Sequence, residues 1–71
     1  MMTMTQIHDL LSRGYYSDEE ILAPFITSFE QIPEDERYDV LQDLDDRVWP
    51  ELDSGEQEVW LIVFSGLMCL T

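Results

Sequence analysis

Apolar residues recur along the chain every three or four positions, which is the spacing of one face of an α-helix. The first such stretch contains Ile7, Leu10 and Leu11. Thr3 precedes it with a glutamine three residues later, the spacing of a capping box, and Gly14 is a suitable C-terminal stop. The pattern predicts a short first helix.

A second helix is predicted after Ser17, which repeats the capping-box spacing with Glu20. Its apolar stripe consists of Ile21, Leu22, Phe25, Ile26 and Phe29. Pro24 lies inside this stripe and has no backbone N–H, so we expect the helix to kink or restart there.

A third helix is predicted between two prolines. Pro33 suits its first position, and Pro50 ends it because the residue before a proline is pushed out of the helical region. One face of this helix is predicted to carry Tyr38, Leu41, Leu44 or Asp45, and Val48.

The last segment, from about Gly55 to Cys69, is predicted to be a helix capped by Asp53 or Ser54. The β-branched and aromatic residues of 59–64 also suit a buried strand, but the chain offers no partner strand. We therefore expect an all-α fold: one domain over residues 1–71, a small bundle of about four short helices with the apolar C-terminal helix at its centre.

Charge changes this picture more than any motif does. The 71 residues contain 16 acids, 3 arginines and no lysine, which gives a net charge of −13, and all of this excess lies between Asp18 and Glu58. Such a chain disfavours nucleic acid, anionic membranes and polyphosphates as ligands. Its expected partners are basic.

The sequence also predicts a compartment. A single cysteine, Cys69, forms no internal disulfide, and residues 1–6 lack a secretory pattern. The longest uncharged run, residues 59–71, is too short for a membrane helix. We expect a cytoplasmic protein, and a homodimer if three short helices leave part of the apolar C-terminal helix uncovered.

Catalysis has little support in the sequence. His8 and Asp9 are adjacent and so do not share a helix face, and Cys69 lies in an apolar setting that does not activate its thiol. Neither 43–46 nor 53–56 reproduces a calcium loop. We expect no enzyme, no catalytic residue, no cofactor and no dedicated metal site.

The third helix carries the most informative pattern, which we call the acidic column. Its members, spaced by four, four and three residues, are Asp35, Asp39, Asp43 and Asp46. Helix geometry puts them in one row at about 6 Å per step, comparable with the separation of neighbouring phosphates. Glu36 and Asp45 flank the row, with only Arg37 and Arg47 nearby to relieve its repulsion.

The functional interpretation of the acidic column is mimicry of nucleic acid, and the alternative is an ordinary solvated helix face. Trp49, next to Pro50, and the pair Tyr15 and Tyr16 after Gly14 are candidate exposed anchors beside it, although a small core also needs its aromatics. The predicted partner-binding residues are Asp35, Glu36, Asp39, Asp43, Asp45, Asp46 and Trp49.

Short length, absence of lysine, strong negative charge and the acidic column together resemble the class of small phage-encoded anti-CRISPR and anti-restriction proteins. That resemblance implies stoichiometric inhibition, in which the protein occupies the basic nucleic-acid channel of a CRISPR effector or another nucleic-acid-binding protein. Two other classes stay open. One is an antitoxin or nuclease-immunity protein that neutralises a basic toxin, and the other is an acidic regulatory or assembly subunit that dimerises through residues 59–70.

Overall fold

A computed structural model describes residues 2–14 and 17–71. Within that part of the chain it contains four α-helices and no strand, which confirms the predicted all-α class. In chain order the helices are α1 (Met4–Ser12), α2 (Asp18–Phe29), α3 (Arg37–Val48) and α4 (Ser54–Met68). Short 3-10 turns, Glu34–Glu36 and Trp49–Glu51, precede and follow α3.

The predicted N-caps are present. The Thr3 hydroxyl accepts a hydrogen bond from the Gln6 amide at 3.2 Å, and the Gln6 side chain accepts from the Thr3 amide at 2.9 Å. Asp53 and Glu56 make the same reciprocal pair, at 2.8 and 3.2 Å, so Asp53 is the cap of α4. The Ser17 hydroxyl accepts from the amide three residues later at 3.3 Å. These bonds satisfy amides that a helix start otherwise leaves without partners.

Helix α2 runs without interruption through Pro24, so the predicted restart is wrong. A proline inside a helix removes one amide donor and crowds the preceding turn. Ile21 and Phe25 are buried on either side of Pro24, and Phe29 is buried one turn further on. Their packing stabilises the helix across the lost hydrogen bond, as tertiary contacts commonly override local propensity.

One apolar core joins all four helices, and α4 lies at its centre, in contact with α1, α2 and α3. The Trp60 side chain is fully buried and meets the Phe25 ring edge-on, with ring centroids 6.0 Å apart. The central helical position of the C-terminal segment is therefore confirmed. The buried core residues are Ile7, Leu11, Ile21, Phe25, Phe29, Leu41, Leu44, Val48, Leu52, Trp60, Val63 and Leu67.

The α3 segment differs from its prediction at both ends. Its first turn is a 3-10 turn, and the α-helix begins only at Arg37, while Pro50 lies in the 3-10 turn that follows Val48. Tyr38 was predicted on the apolar face but is 52% exposed. It lies about 90° around the helix axis from the centre of the stripe that α3 buries, so it reaches the edge of the core and not its interior.

Three side chains make polar contacts at two junctions between helices. His8 of α1 and Glu56 of α4 are joined by a hydrogen bond of 2.7 Å between Nδ1 and Oε2. The Arg37 guanidinium donates to the backbone carbonyl oxygens of Ile32, at 3.0 Å, and Glu30, at 3.4 Å. Arg37 therefore links the start of α3 to the turn that follows α2.

Candidate partner-binding surface

The outward face of α3 carries Asp39, Asp43 and Asp46, all exposed. At about 100° per residue these three positions fall within an arc of about 60°. The residues that α3 buries are Leu41, Leu44 and Val48, and they lie nearly opposite. The same amphipathic pattern that places α3 on the core therefore presents three carboxylates outward.

The acidic column is less regular at its first member than the sequence predicts. Asp35 and Glu36 are exposed but belong to the 3-10 turn, where the rise per residue is about 2 Å and not 1.5 Å. The step from Asp35 to Asp39 thus crosses a change of helix type. Within α3 the rise is about 6 Å from Asp39 to Asp43 and about 4.5 Å from there to Asp46.

Asp45 lies on the inner side of α3, where helix periodicity also allowed it as an alternative to Leu44, and it has a structural role there. Its carboxylate accepts a hydrogen bond of 2.7 Å from the indole N–H of Trp60, and its side chain is half-buried. Asp45 lies about 200° around the helix from Asp43, which puts it on the side that faces α4. That angular position was the available signal, because a buried tryptophan needs an acceptor for its N–H.

The column keeps most of its negative charge. Arg47 pairs with Asp43 at 3.1 Å, but both side chains are well exposed, and such a pair stabilises a helix by only about 0.3–0.5 kcal/mol. Arg37, the other expected counter-charge, donates to backbone carbonyl oxygens instead. Arg13 pairs with Asp9 at 2.6 Å on α1. The outward face of α3 is therefore anionic in its middle, at Asp39, Asp43 and Asp46, with one arginine at each end of the helix.

Two aromatic side chains border the acidic face. Trp49 is 37% exposed in the 3-10 turn after α3, where its carbonyl oxygen accepts a hydrogen bond of 3.2 Å from Gln57. Tyr38, at 52% exposure, lies at the other end of α3. Exposed aromatics can stack on arginine or cover apolar surface beside a charged contact. Tyr15 and Tyr16, the other candidate anchors, lie outside the described residues.

The residues considered for chemistry are placed apart from this face. His8 contacts Glu56 and not Asp9, and Cys69 is exposed near the end of α4. In the described ranges no three His, Cys, Asp or Glu side chains are grouped so as to hold a metal ion. Across the same ranges no helix is both long and apolar enough to span a bilayer.

Comparison with known proteins gives no relative. No protein-family model, no curated protein and no solved structure matches this chain. The functional interpretation therefore depends on the surface of α3 itself.

Proposed function

We propose that this protein is a phage-encoded inhibitor of a bacterial nucleic-acid-targeting defence system, of the anti-CRISPR type. It acts in the cytoplasm of the host cell. It binds a channel rich in lysine and arginine on the effector and excludes DNA or RNA by occupying the phosphate positions. The observation that carries the proposal is the exposed acidic face of α3, with Asp39, Asp43 and Asp46 opposite its buried stripe.

The geometry of this face favours contact with a basic groove. A helix is about 10–12 Å across with its side chains, so α3 is narrow enough to lie along a basic channel of a partner. Carboxylates on successive turns can each meet a lysine or arginine that otherwise neutralises a phosphate. Trp49 and Tyr38 lie at the borders of this face and can cover arginine side chains at its rim.

The net charge supports the same partner. A chain with a net charge of −13 is attracted to a positively charged channel over distances of about a Debye length, which accelerates association and makes binding depend strongly on salt. A contact of this kind needs no catalytic residue. Stoichiometric occupancy suffices for inhibition.

The test is a plating assay with phage on immune hosts that express the protein. The column variant Asp39→Lys/Asp43→Lys is compared with the control variant Glu30→Lys/Glu58→Lys, which changes two exposed acids outside α3 and alters net charge equally. Wild type and control are expected to restore plaques on one immune strain, while the column variant is expected to lose at least tenfold in plating. Far-UV circular dichroism checks that both variants are helical.

The outcomes separate the alternatives. If the column variant and wild type plated equally, the acidic column would be an ordinary solvated helix face and not a contact surface. Failure of wild type on every strain of a panel that covers CRISPR and restriction types would contradict the proposal. Protection of a host against one cognate toxin by co-expression would instead indicate an antitoxin or immunity protein.

A further inference from the structure

Tyr38 and Trp49 lie on the same edge of the acidic face of α3. At about 100° per residue the two positions differ by only about 20° around the helix axis, and they are about 16 Å apart along it. Both side chains are exposed, so both rings can be reached by another molecule. The acidic face therefore has one aromatic edge, with a ring at each end.

An exposed carboxylate precedes each of these rings by three residues. Asp46 lies three residues before Trp49, and Asp35 lies three residues before Tyr38. Positions three apart on an α-helix are neighbours, with Cβ atoms about 5–6 Å apart, and a 3-10 turn such as the one that carries Asp35 aligns them more closely. Each end of the acidic column therefore carries one carboxylate–aromatic pair.

The turn after α3 holds Trp49 in place. Its carbonyl oxygen accepts hydrogen bonds of 3.2 Å from the Gln57 side chain and of 3.2 Å from the Leu52 amide. Asp45, the other acid within one turn of Trp49, already accepts the Trp60 indole N–H. Asp46 is therefore the carboxylate that can act together with the Trp49 ring, and a ring on an ordered turn loses less entropy when it binds.

The arginines of the protein make their contacts elsewhere. Arg47 lies about 160° around the helix from Trp49, on the opposite edge of the acidic face, and pairs with Asp43. Arg37 donates to carbonyl oxygens of the turn after α2, and Arg13 pairs with an acid of α1. Both carboxylate–aromatic pairs are therefore open to a cation of another molecule.

We propose that the two pairs make the acidic face select arginine over lysine in the basic channel that it binds, an inference that rests on the proposed function. A guanidinium is planar, so it can donate two hydrogen bonds to a carboxylate and stack on the adjacent ring. A lysine ammonium is a compact and strongly hydrated charge that gains less from a ring. The partner presents two arginines about 16 Å apart, one for each pair.

The test is an NMR titration of the isotope-labelled full chain with two peptides of equal length and charge. One alternates arginine with glycine and the other alternates lysine with glycine, so an extended peptide places one charge about every 7 Å. At low salt the arginine peptide is expected to bind roughly threefold more tightly or better. It is also expected to shift the Trp49 indole N–H resonance, with the buried Trp60 indole as the internal reference.

Matched variants assign the preference to the rings. Trp49→Leu/Tyr38→Leu removes both rings without a change of charge and is expected to bind the two peptides equally. Trp49→Phe/Tyr38→Phe keeps an aromatic ring at each position and is expected to retain the preference for arginine. The lysine peptide is expected to bind both variants as it binds wild type. A preference that survives in the leucine variant, or disappears from the phenylalanine variant, would overturn the proposal.

A second comparison keeps the test decisive if the double leucine variant does not fold, which far-UV circular dichroism shows. Tyr38→Leu alone changes the more exposed of the two rings and is expected to lose part of the preference, whereas Tyr38→Phe is expected to keep it. Equal preference in these two single variants would then refute a role for the Tyr38 ring and with it the paired arrangement.

The peptide titration and the plating assay fail separately. Equal affinity of wild type for the two peptides, or no binding of the arginine peptide at low salt, would overturn the selectivity even if the protein restores plaques. If wild type prefers arginine but restores no plaques on any strain, the inhibitor function is contradicted, while the selectivity of the acidic face is supported.

Discussion

Helices α3 and α4 contact each other and share one core, but their outward faces are opposite in character. Each buries three side chains, and the Asp45–Trp60 hydrogen bond joins them across the interface. Outward, α3 presents Asp39, Asp43 and Asp46, whereas α4 presents two aliphatic side chains, Leu61 and Ile62, after the single carboxylate of Glu58. The shared core fixes the inner positions of both helices. Their outer positions are not constrained by that packing, so they can differ in charge and polarity.

The two helices also begin differently. Helix α4 begins with the reciprocal Asp53–Glu56 capping box, whereas α3 continues from a 3-10 turn, and Glu36 at its N-cap position makes no side-chain cap hydrogen bond. Helix α3 depends on its buried stripe and on the turn that Arg37 fastens. Packing of its buried side chains, and not local capping, offsets the repulsion between the carboxylates of α3.

The largest difference between the two helices is expected when one leucine on each is shortened. Leu41→Ala in α3 removes a fully buried side chain and is expected to cost about 2–5 kcal/mol, a large part of the total stability of a domain this small. Leu61→Ala in α4 removes a side chain that is 53% exposed and is expected to change stability by at most about 0.5 kcal/mol. Urea unfolding of dilute protein measures both. Equal costs would show that Leu61 is part of the monomer core.

Substitution of two adjacent acids, Asp45 and Asp46, is expected to have different effects because one lies on the inner face of α3 and the other on the outer face. Asp45→Ala leaves the Trp60 indole N–H without its acceptor and is expected to cost about 1–3 kcal/mol. Asp46→Ala removes an exposed member of the acidic column and is expected to be neutral or slightly stabilising, since it relieves like-charge repulsion. Thermal unfolding gives the costs, and the indole N–H resonance in NMR reports the lost bond. An unmoved resonance in Asp45→Ala would contradict the assignment.

The smallest expected effect concerns the helix starts. Asp53→Ala removes the cap of α4 and is expected to cost about 0.5–2 kcal/mol. Glu36→Ala removes no side-chain cap bond from α3 and is expected to cost less than about 0.5 kcal/mol. Chemical denaturation of the two variants under identical conditions makes the comparison. If Glu36→Ala proved the more damaging change, α3 would have a capping interaction that its geometry does not reveal.

The local parts of the fold were predictable from sequence because they depend on neighbours in the chain. The capping box at Thr3 and the cap at Asp53, predicted together with Ser54 as the alternative, depend on residues three apart. The buried stripe of α3, predicted with Leu44 or Asp45 between Leu41 and Val48, follows from helix periodicity. The restart predicted at Pro24 is absent because the free-energy cost of a proline in the helix is smaller than the stabilisation from the side chains buried on both sides of it. Signals from neighbouring residues predict where a helix begins and ends. They do not predict the tertiary packing that stabilises a helix across an unfavourable residue.

The parts that sequence did not predict depend on how helices lie against one another. Tyr38 lies about 90° from the centre of the buried stripe of α3, and its exposure follows from how far around α3 the other helices reach. Asp45 was placed with the candidate contact residues because its charge matched theirs, while its partner Trp60 is 15 positions away. His8 was compared with its chain neighbour Asp9, although its partner is Glu56, 48 positions away.

The Glu56 side chain makes one hydrogen bond within α4 and one to α1. One oxygen of its carboxylate closes the first turn of α4, and the other meets His8 on α1. A local opening that frees α1 removes His8 from Glu56, so the side chain that closes the first turn of α4 loses one of its two partners and holds that turn less firmly. In hydrogen exchange, the amides of these two segments should then behave as one cooperative unit, so that the first helix of the chain and the start of the last open and close together.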